Sequence, residues 1–166
     1  MNAINRPHAS SDKVQSFVGK APHRVGIVVF PEASPLDACG VAEVFSTANH
    51  ELRRILGIDA AAYSVEIISS QPGPVRLETG LRLLPDRTVQ SSSNDNGAIV
   101  ATGESIDTLV VVGGCWDPLE QAMQDRPFIG WIRKAAMRAP RVASMCTGAF
   151  LLAEAGVLEG VATTHW

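Results

Sequence analysis

Apolar and polar positions along the chain follow two periods, and the switches between them outline a fold. Arg24–Phe30, RVGIVVF, is a β-branched apolar run, the pattern of a strand buried on both faces, and Pro31 and Pro35 end it. From Asp37 the spacing turns helical. Val41, Val44, Phe45, Ala48, Leu52, Ile55 and Leu56 predict one apolar stripe closed by Gly57. Tyr63–Ser69 reads as a second strand, and QPGPVRLETGLRLLPD as a small hairpin turning at Thr79-Gly80. The polar, glycine-bearing stretch SSSNDNGAIVATGES predicts a mobile surface loop. A third strand, Ile106–Val112, ends at Gly113-Gly114. Two helical pieces, Pro118–Gln124 and Phe128–Ala139, precede a fourth strand at Arg141–Met145. Cys146-Thr147-Gly148 then leads into a helix, Ala149–Ala155, capped by Gly156, and Val161–Thr164 reads as a fifth strand. Strands alternating with helices predict an α/β fold, doubly wound and flavodoxin-like, with a parallel sheet covered by helices on both faces.

In such sheets ligands bind beyond the carboxyl ends of the strands. Four places qualify: Pro31–Asp37, Gly113–Asp117, Cys146–Gly148 and His165. Ser144-Met145-Cys146-Thr147-Gly148 has the S-x-C-x-G spacing of a nucleophile elbow, in which a sharp strand-to-helix turn strains the middle residue and exposes its side chain. A free cysteine is otherwise a small buried filler; the strand–Cys–Gly–helix setting favours a pocket thiol. Asp37 reads either as a helix cap or as a carboxylate beside the thiol, able to hold a proton or orient water. Gly113-Gly114 offers either a tight turn or backbone N–H donors facing an oxyanion. Trp116 reads as a core or pocket-wall residue, and His165 as a lone histidine at a strand end.

Composition narrows the function. With 14 Lys+Arg against 17 Asp+Glu the net charge is −3, which argues against nucleic-acid binding by this chain alone. The exception is the amino terminus, where Arg6, Lys13 and Lys20 outnumber Asp12; residues 1–23 read as a disordered basic tail without the apolar segment of a secretory signal. No run of residues is long and apolar enough to span a bilayer. Cys39, Cys115 and Cys146 form no CxxC pair and no disulfide framework, so they are expected as free thiols, which suit a reducing cytoplasm. There is no phosphate loop, dinucleotide fingerprint or metal motif, and no cofactor or metal is expected.

FPEASPLDACGVAEVF, DTLVVVGG, RVASMCTGAFLLAEAGVLEG and ATTHW together closely resemble the ThiJ/PfpI, or class I glutamine amidotransferase-like, superfamily from Arg24 to Trp166. Two branches share the pattern: isocyanide hydratase-like enzymes, and the amino-terminal sensor domains of AraC-type transcription regulators. YSVEIISSQPGPVRLETGLRLLPDRTV and ANHELRRILG look more like the regulators. That branch implies a ligand-sensing homodimer binding a small metabolite near Cys146, Asp37, Thr147, Gly114, Trp116 and His165. The enzyme branch implies Cys146 as nucleophile, Asp37 as acid and Thr147 as its helper. This chain has Gly113-Gly114-Cys115-Trp116 where the superfamily usually has Gly-Gly-x-Gly, and Gly40-Val41 where a Gly-Pro pair is common. The indole at 116 stands where substrate would enter, which weighs against catalysis. Relatives continue past T-H-W, and regulators then add helix-turn-helix units. The resemblance therefore implies that residues 24–166 are such a domain lacking its carboxyl-terminal portion, with DNA contacted only through a region absent from this chain.

Overall fold

The computed structural model describes residues 21–56, 61–89 and 105–160. Five strands form one parallel sheet: β1 (His23–Val29), β2 (Tyr63–Ser69), β5 (Arg87–Thr88), β6 (Thr108–Val111) and β7 (Arg141–Ser144), in the order β5-β2-β1-β6-β7. β1 is central, with Val25 opposite Val65 on one side and Thr108 on the other. Val25, Ile27, Val28 and Val29 are fully buried, as an uninterrupted apolar run requires when helices cover both faces of a sheet. β3 (Val75–Arg76) and β4 (Arg82–Leu83) make the separate antiparallel hairpin. Gly80 turns it with φ +86°, a left-handed conformation that glycine adopts without steric cost.

Among the described residues four helices pack around the sheet: α1 (Pro35–Leu56), α2 (Trp116–Gln124), α3 (Arg126–Arg138) and α4 (Gly148–Glu154). α2 begins two residues earlier than the proline suggested. Pro118 sits in its first turn, where backbone N–H groups lack intrahelical partners and a missing one costs little. α3 is capped by Asp125, whose carboxylate accepts the Phe128 N–H at 3.1 Å. The apolar stripe of α1 is narrower than its spacing implied. Ala38, Val41, Ala42 and Phe45 meet the core, whereas Val44 and Ile55 are 65% and 56% exposed. At about 100° per residue those two lie well round the helix from Phe45, too far to reach a flat sheet.

All five strands of the sheet point the same way, so the segments following β1, β6 and β7 emerge at one end. There they are tied together. Ser34 N–H donates to the Gly113 carbonyl at 2.8 Å, and Ala33 forms a β-bridge with Gly114. The hairpin joins the same end: Glu32 N–H donates to the Arg76 carbonyl at 2.7 Å, and Glu78 N–H to that of Ala33 at 3.2 Å. β7 has one neighbour, β6, among the described residues. His23, expected as the end of the tail, instead begins β1, its ring nitrogen 2.8 Å from the Thr108 hydroxyl. Residues 1–20 of that tail, the predicted surface loop 91–105 except Ser105, and the fifth strand at Val161–Thr164 lie outside the described residues.

Candidate functional site

Cys146 stands between β7 and α4 with φ +46°, exposed, in a left-handed conformation that costs a non-glycine residue roughly 1–2 kcal/mol. Glycine two residues on is what makes the turn possible. A Cβ on Gly148 would lie 2.3 Å from the Val111 carbonyl oxygen and 2.8 Å from that of Val112. α4 therefore starts in backbone contact with the end of β6.

Between Cys146 and Gly148, Thr147 occupies the N-cap of α4 but does not cap it. Its hydroxyl reaches across to the neighbouring loop, where it accepts the Gly114 N–H at 3.0 Å and donates to the Gly114 carbonyl at 2.9 Å. Asp37 behaves in parallel. It lies in the first turn of α1, yet its carboxylate accepts the Gly113 N–H at 3.1 Å from the other side. Two helices thus turn a polar side chain from their own ends toward one glycine pair. The glycines are needed for that approach, since a Cβ on Gly113 would fall 2.6 Å from the Thr147 hydroxyl. The expectation that Gly113-Gly114 presents open donors to an oxyanion is therefore revised: one N–H goes to a carboxylate, the other to a hydroxyl. Asp37 is likewise not a cap.

Trp116, read as core or pocket wall, is 52% exposed at the start of α2. Its ring meets that of Phe150 edge to face, with centroids 5.5 Å apart and planes at 88°. Phe150, 43% exposed on α4, donates its backbone N–H to the Thr147 carbonyl at 3.0 Å, so the aromatic pair adjoins the cysteine turn. The structure thus gathers Cys146, Thr147, Asp37 and Gly114 through one hydrogen-bonded loop, with Trp116 two residues beyond Gly114. His165 lies outside the described residues.

Sequence reasoning passed over Phe150, Glu32, Arg76 and Glu78. Glu32 has φ +61° and pairs with Arg76 at 2.5 Å. The exposed Cys115 thiol donates to Glu78 at 3.4 Å. That hydrogen bond and the Glu78 charge hold the thiol above its ordinary pKa, with slight desolvation and the fields of Asp117 and Glu32 adding to the effect. These contacts link residues distant in sequence, and the hint available was the polar end of a loop after an apolar strand.

The Cys115 contact sets a pH dependence. A raised thiol pKa favours the folded form below the ordinary thiol value, and that advantage disappears as pH rises through the raised value. Glu78→Gln should move the pH–rate profile of Cys115 alkylation by iodoacetamide to lower pH and speed the reaction at pH 8, leaving Cys39 as an unchanged reference. An unaltered Cys115 profile, followed by peptide mass spectrometry, would show that Glu78 does not control this thiol.

The three cysteines are free, and among the described residues no group of three His, Cys, Asp or Glu side chains could hold a metal ion. No helix of the described residues is long and apolar enough to cross a membrane. Compared with known proteins, residues 23–166 match the profile of the DJ-1/PfpI family. An uncharacterized protein of the cpoL 5′ region of Streptomyces lividans is 40% identical over 146 residues, covering 87% of this chain and 89% of that protein. Isonitrile hydratase of Pseudomonas putida is 30% identical over 145 residues, 86% of this chain but 52% of the enzyme. The crystal structure of an AraC family transcriptional regulator from Pseudomonas putida superposes with a TM-score of 0.60 at 22% identity, covering 82% of this chain and 63% of the regulator's. The chain thus spans nearly all of the first relative and about half of the second.

Proposed function

The chain belongs to the DJ-1/PfpI family, and from that premise we propose that it is the ligand-sensing module of an AraC-type transcription regulator, binding a small metabolite beside Cys146. The observation that carries this reading is the closed hydrogen bonding of Gly113 and Gly114. Both N–H groups are taken up by Asp37 and Thr147, which leaves them poorly placed to stabilise a developing oxyanion. The same bonds join three strand ends into one unit, a suitable device for coupling a bound ligand to the position of helices α1, α2 and α4. Trp116 and Phe150 supply a recognition surface at its mouth. The module works in the cytoplasm as a homodimer, Leu36 and Val44 on α1 offering apolar surface for a second copy, and DNA is contacted by a region outside this chain.

A second reading follows from the hydratase relative. In it Cys146 attacks the electrophilic carbon of an isocyanide, Asp37 moves the protons, and Thr147 with nearby N–H groups steadies the charge. One experiment separates the two. A metabolite screen read by thermal shift should find a compound that raises the melting temperature by roughly 5–10 °C at a hundredfold excess over its Kd. That shift should vanish in Trp116→Ala. Turnover of isocyanides by the wild type that is lost in Cys146→Ala, with no stabilising metabolite, would replace the sensor by the enzyme.

A further inference from the structure

α3 differs from the other described helices in charge. It alone carries cations and no acid: Arg126, Arg133, Lys134 and Arg138. The chain has no Asp or Glu between Asp125 and Glu154. Arg126 is engaged with Glu154 at 3.0 Å. The other three cations stand in the carboxyl-terminal half of α3, where no carboxylate of the described residues pairs with them. A helix dipole favours a cation in the last turn, which accounts for Arg138, but Arg133 and Lys134 lie a turn earlier. Arg141, exposed at the start of β7, extends the run. The acids of the neighbouring segments are placed or engaged elsewhere. Asp107 accepts the Arg24 N–H, and Asp117 and Glu120 belong to α2, which joins α3 at Asp125, its far end. Glu159, two residues past Val157, is left to oppose the cations.

The same half of α3 borders a cleft. Arg133, Ala136 and Met137 form one wall, and Gly156 and Val157, just after α4, form the other, around a volume of about 280 Å³. A Cβ on Gly156 would meet nothing within 4 Å, so that wall is low and open. Met137 is 79% exposed. Arg133 and Lys134, four and three residues before it, are its neighbours on the helix surface. An apolar side chain set among cations in this way contributes nothing to the core. α3 leads into the start of β7, so the cleft opens toward the amino ends of the strands, away from the cysteine turn.

We propose that this cleft docks an acidic segment of a partner protein, which inserts one aliphatic side chain between Met137 and Val157 and lays its carboxylates over Arg133, Lys134 and Arg138. The volume falls just under the range of roughly 300–1,000 Å³ usual for small-molecule pockets and suits a side chain better than a free metabolite. A methionine wall is flexible and polarizable and adapts to the shape inserted, and guanidinium groups grip carboxylates through paired hydrogen bonds. A bilayer surface or a phosphate backbone would engage the cations but has no side chain to fill the recess. A peptide uses both features of the face. The cleft lies apart from the glycine loop, so its occupation does not depend on what binds beside Cys146.

The test selects phage-displayed random dodecapeptides on the 166-residue chain at low salt, then measures the enriched sequences as fluorescein-labelled peptides by anisotropy. The enriched peptides should carry several Asp or Glu around a Leu, Ile or Met. Arg133→Glu combined with Lys134→Glu should raise their Kd by about tenfold or more, and Met137→Asp by a similar factor. Arg82→Glu, which reverses an exposed cation of the hairpin, should leave the Kd unchanged. Replacing the aliphatic residue of the peptide by alanine should cost about tenfold, and added salt should weaken binding. The substituted positions are exposed, and melts matching wild type confirm that each variant folds. The two α3 variants are read independently, so the loss of one to misfolding still leaves the other to decide. Failure to enrich acidic peptides, or a Kd indifferent to both α3 variants, would overturn the proposal. So would binding of duplex DNA or of equimolar phosphatidylserine–phosphatidylcholine vesicles that Arg133→Glu with Lys134→Glu abolishes and the enriched peptides do not displace.

Discussion

Gly148→Ala should lower the melting temperature by roughly 6–12 °C, a large loss of stability for a single added methyl group. The added carbon would sit 2.3 Å from the Val111 carbonyl oxygen and 2.8 Å from the Val112 carbonyl carbon and oxygen. These are backbone atoms of the best-buried part of the sheet, so no side chain can swing aside. Relief requires moving α4 bodily by about an ångström, which would break the packing of Leu151 and Leu152, both buried. Overpacking of this kind costs about 1–3 kcal/mol and sometimes more, and the contact with backbone puts the cost at the upper end. A domain of this size loses roughly 2–4 °C per kcal/mol. Gly40→Ala is the matching control. Nothing lies within 4 Å of a Cβ built there, and alanine is favoured over glycine inside a helix by up to about 1 kcal/mol, so its melting temperature should stay or rise slightly. A melt of Gly148→Ala within two or three degrees of wild type would mean that α4 is free to slide and that its start does not position Cys146.

Thr147→Val is expected to cost about 2–3 kcal/mol, near 5–10 °C in melting temperature, although valine has almost the same shape as threonine. The hydroxyl serves both the N–H and the carbonyl of Gly114, at 3.0 and 2.9 Å. Valine leaves each without a partner in a half-buried place, and an unmet polar group costs more than a made hydrogen bond gains. The loop carrying Cys115 and Trp116 should then detach from the cysteine turn, and ligand-induced stabilisation should fall with it. Thr147→Ser keeps the hydroxyl and should recover most of both. Circular dichroism melts with and without ligand distinguish the outcomes. A valine variant as stable as wild type would show that water serves Gly114 equally well, and that the bridge between the two loops is dispensable.

These two substitutions differ in how far each was legible in the chain. Gly148 belongs to a local signal: the S-x-C-x-G spacing after an apolar strand predicts a tight strand-to-helix turn, and Cys146 adopts the left-handed φ that such a turn imposes. Thr147 was picked out through the resemblance, as the neighbour of the cysteine. Its actual task, clamping Gly114 from 33 residues away, is not written in any spacing. The same holds for Asp37. Its position at the start of an apolar helix suggested a cap, because local partners are the ones a sequence displays, yet the partner that wins is Gly113, 76 residues on.

The amino-acid sequence by itself determined the parallel α/β architecture, the boundaries of β2, those of β1 to within one residue, and the end of the sheet that carries the candidate site. Those properties follow from hydrophobic period and chain direction, both local. Only the tertiary structure decided which polar groups consume one another. It turned Asp37 and Thr147 onto the glycine loop, left Val44 and Ile55 outside the core, and exposed Trp116 against Phe150. The reason is physical. Burying an apolar run depends on how many such residues there are and how they are spaced, whereas a hydrogen bond depends on positions good to a few tenths of an ångström between segments that meet only once the sheet has formed.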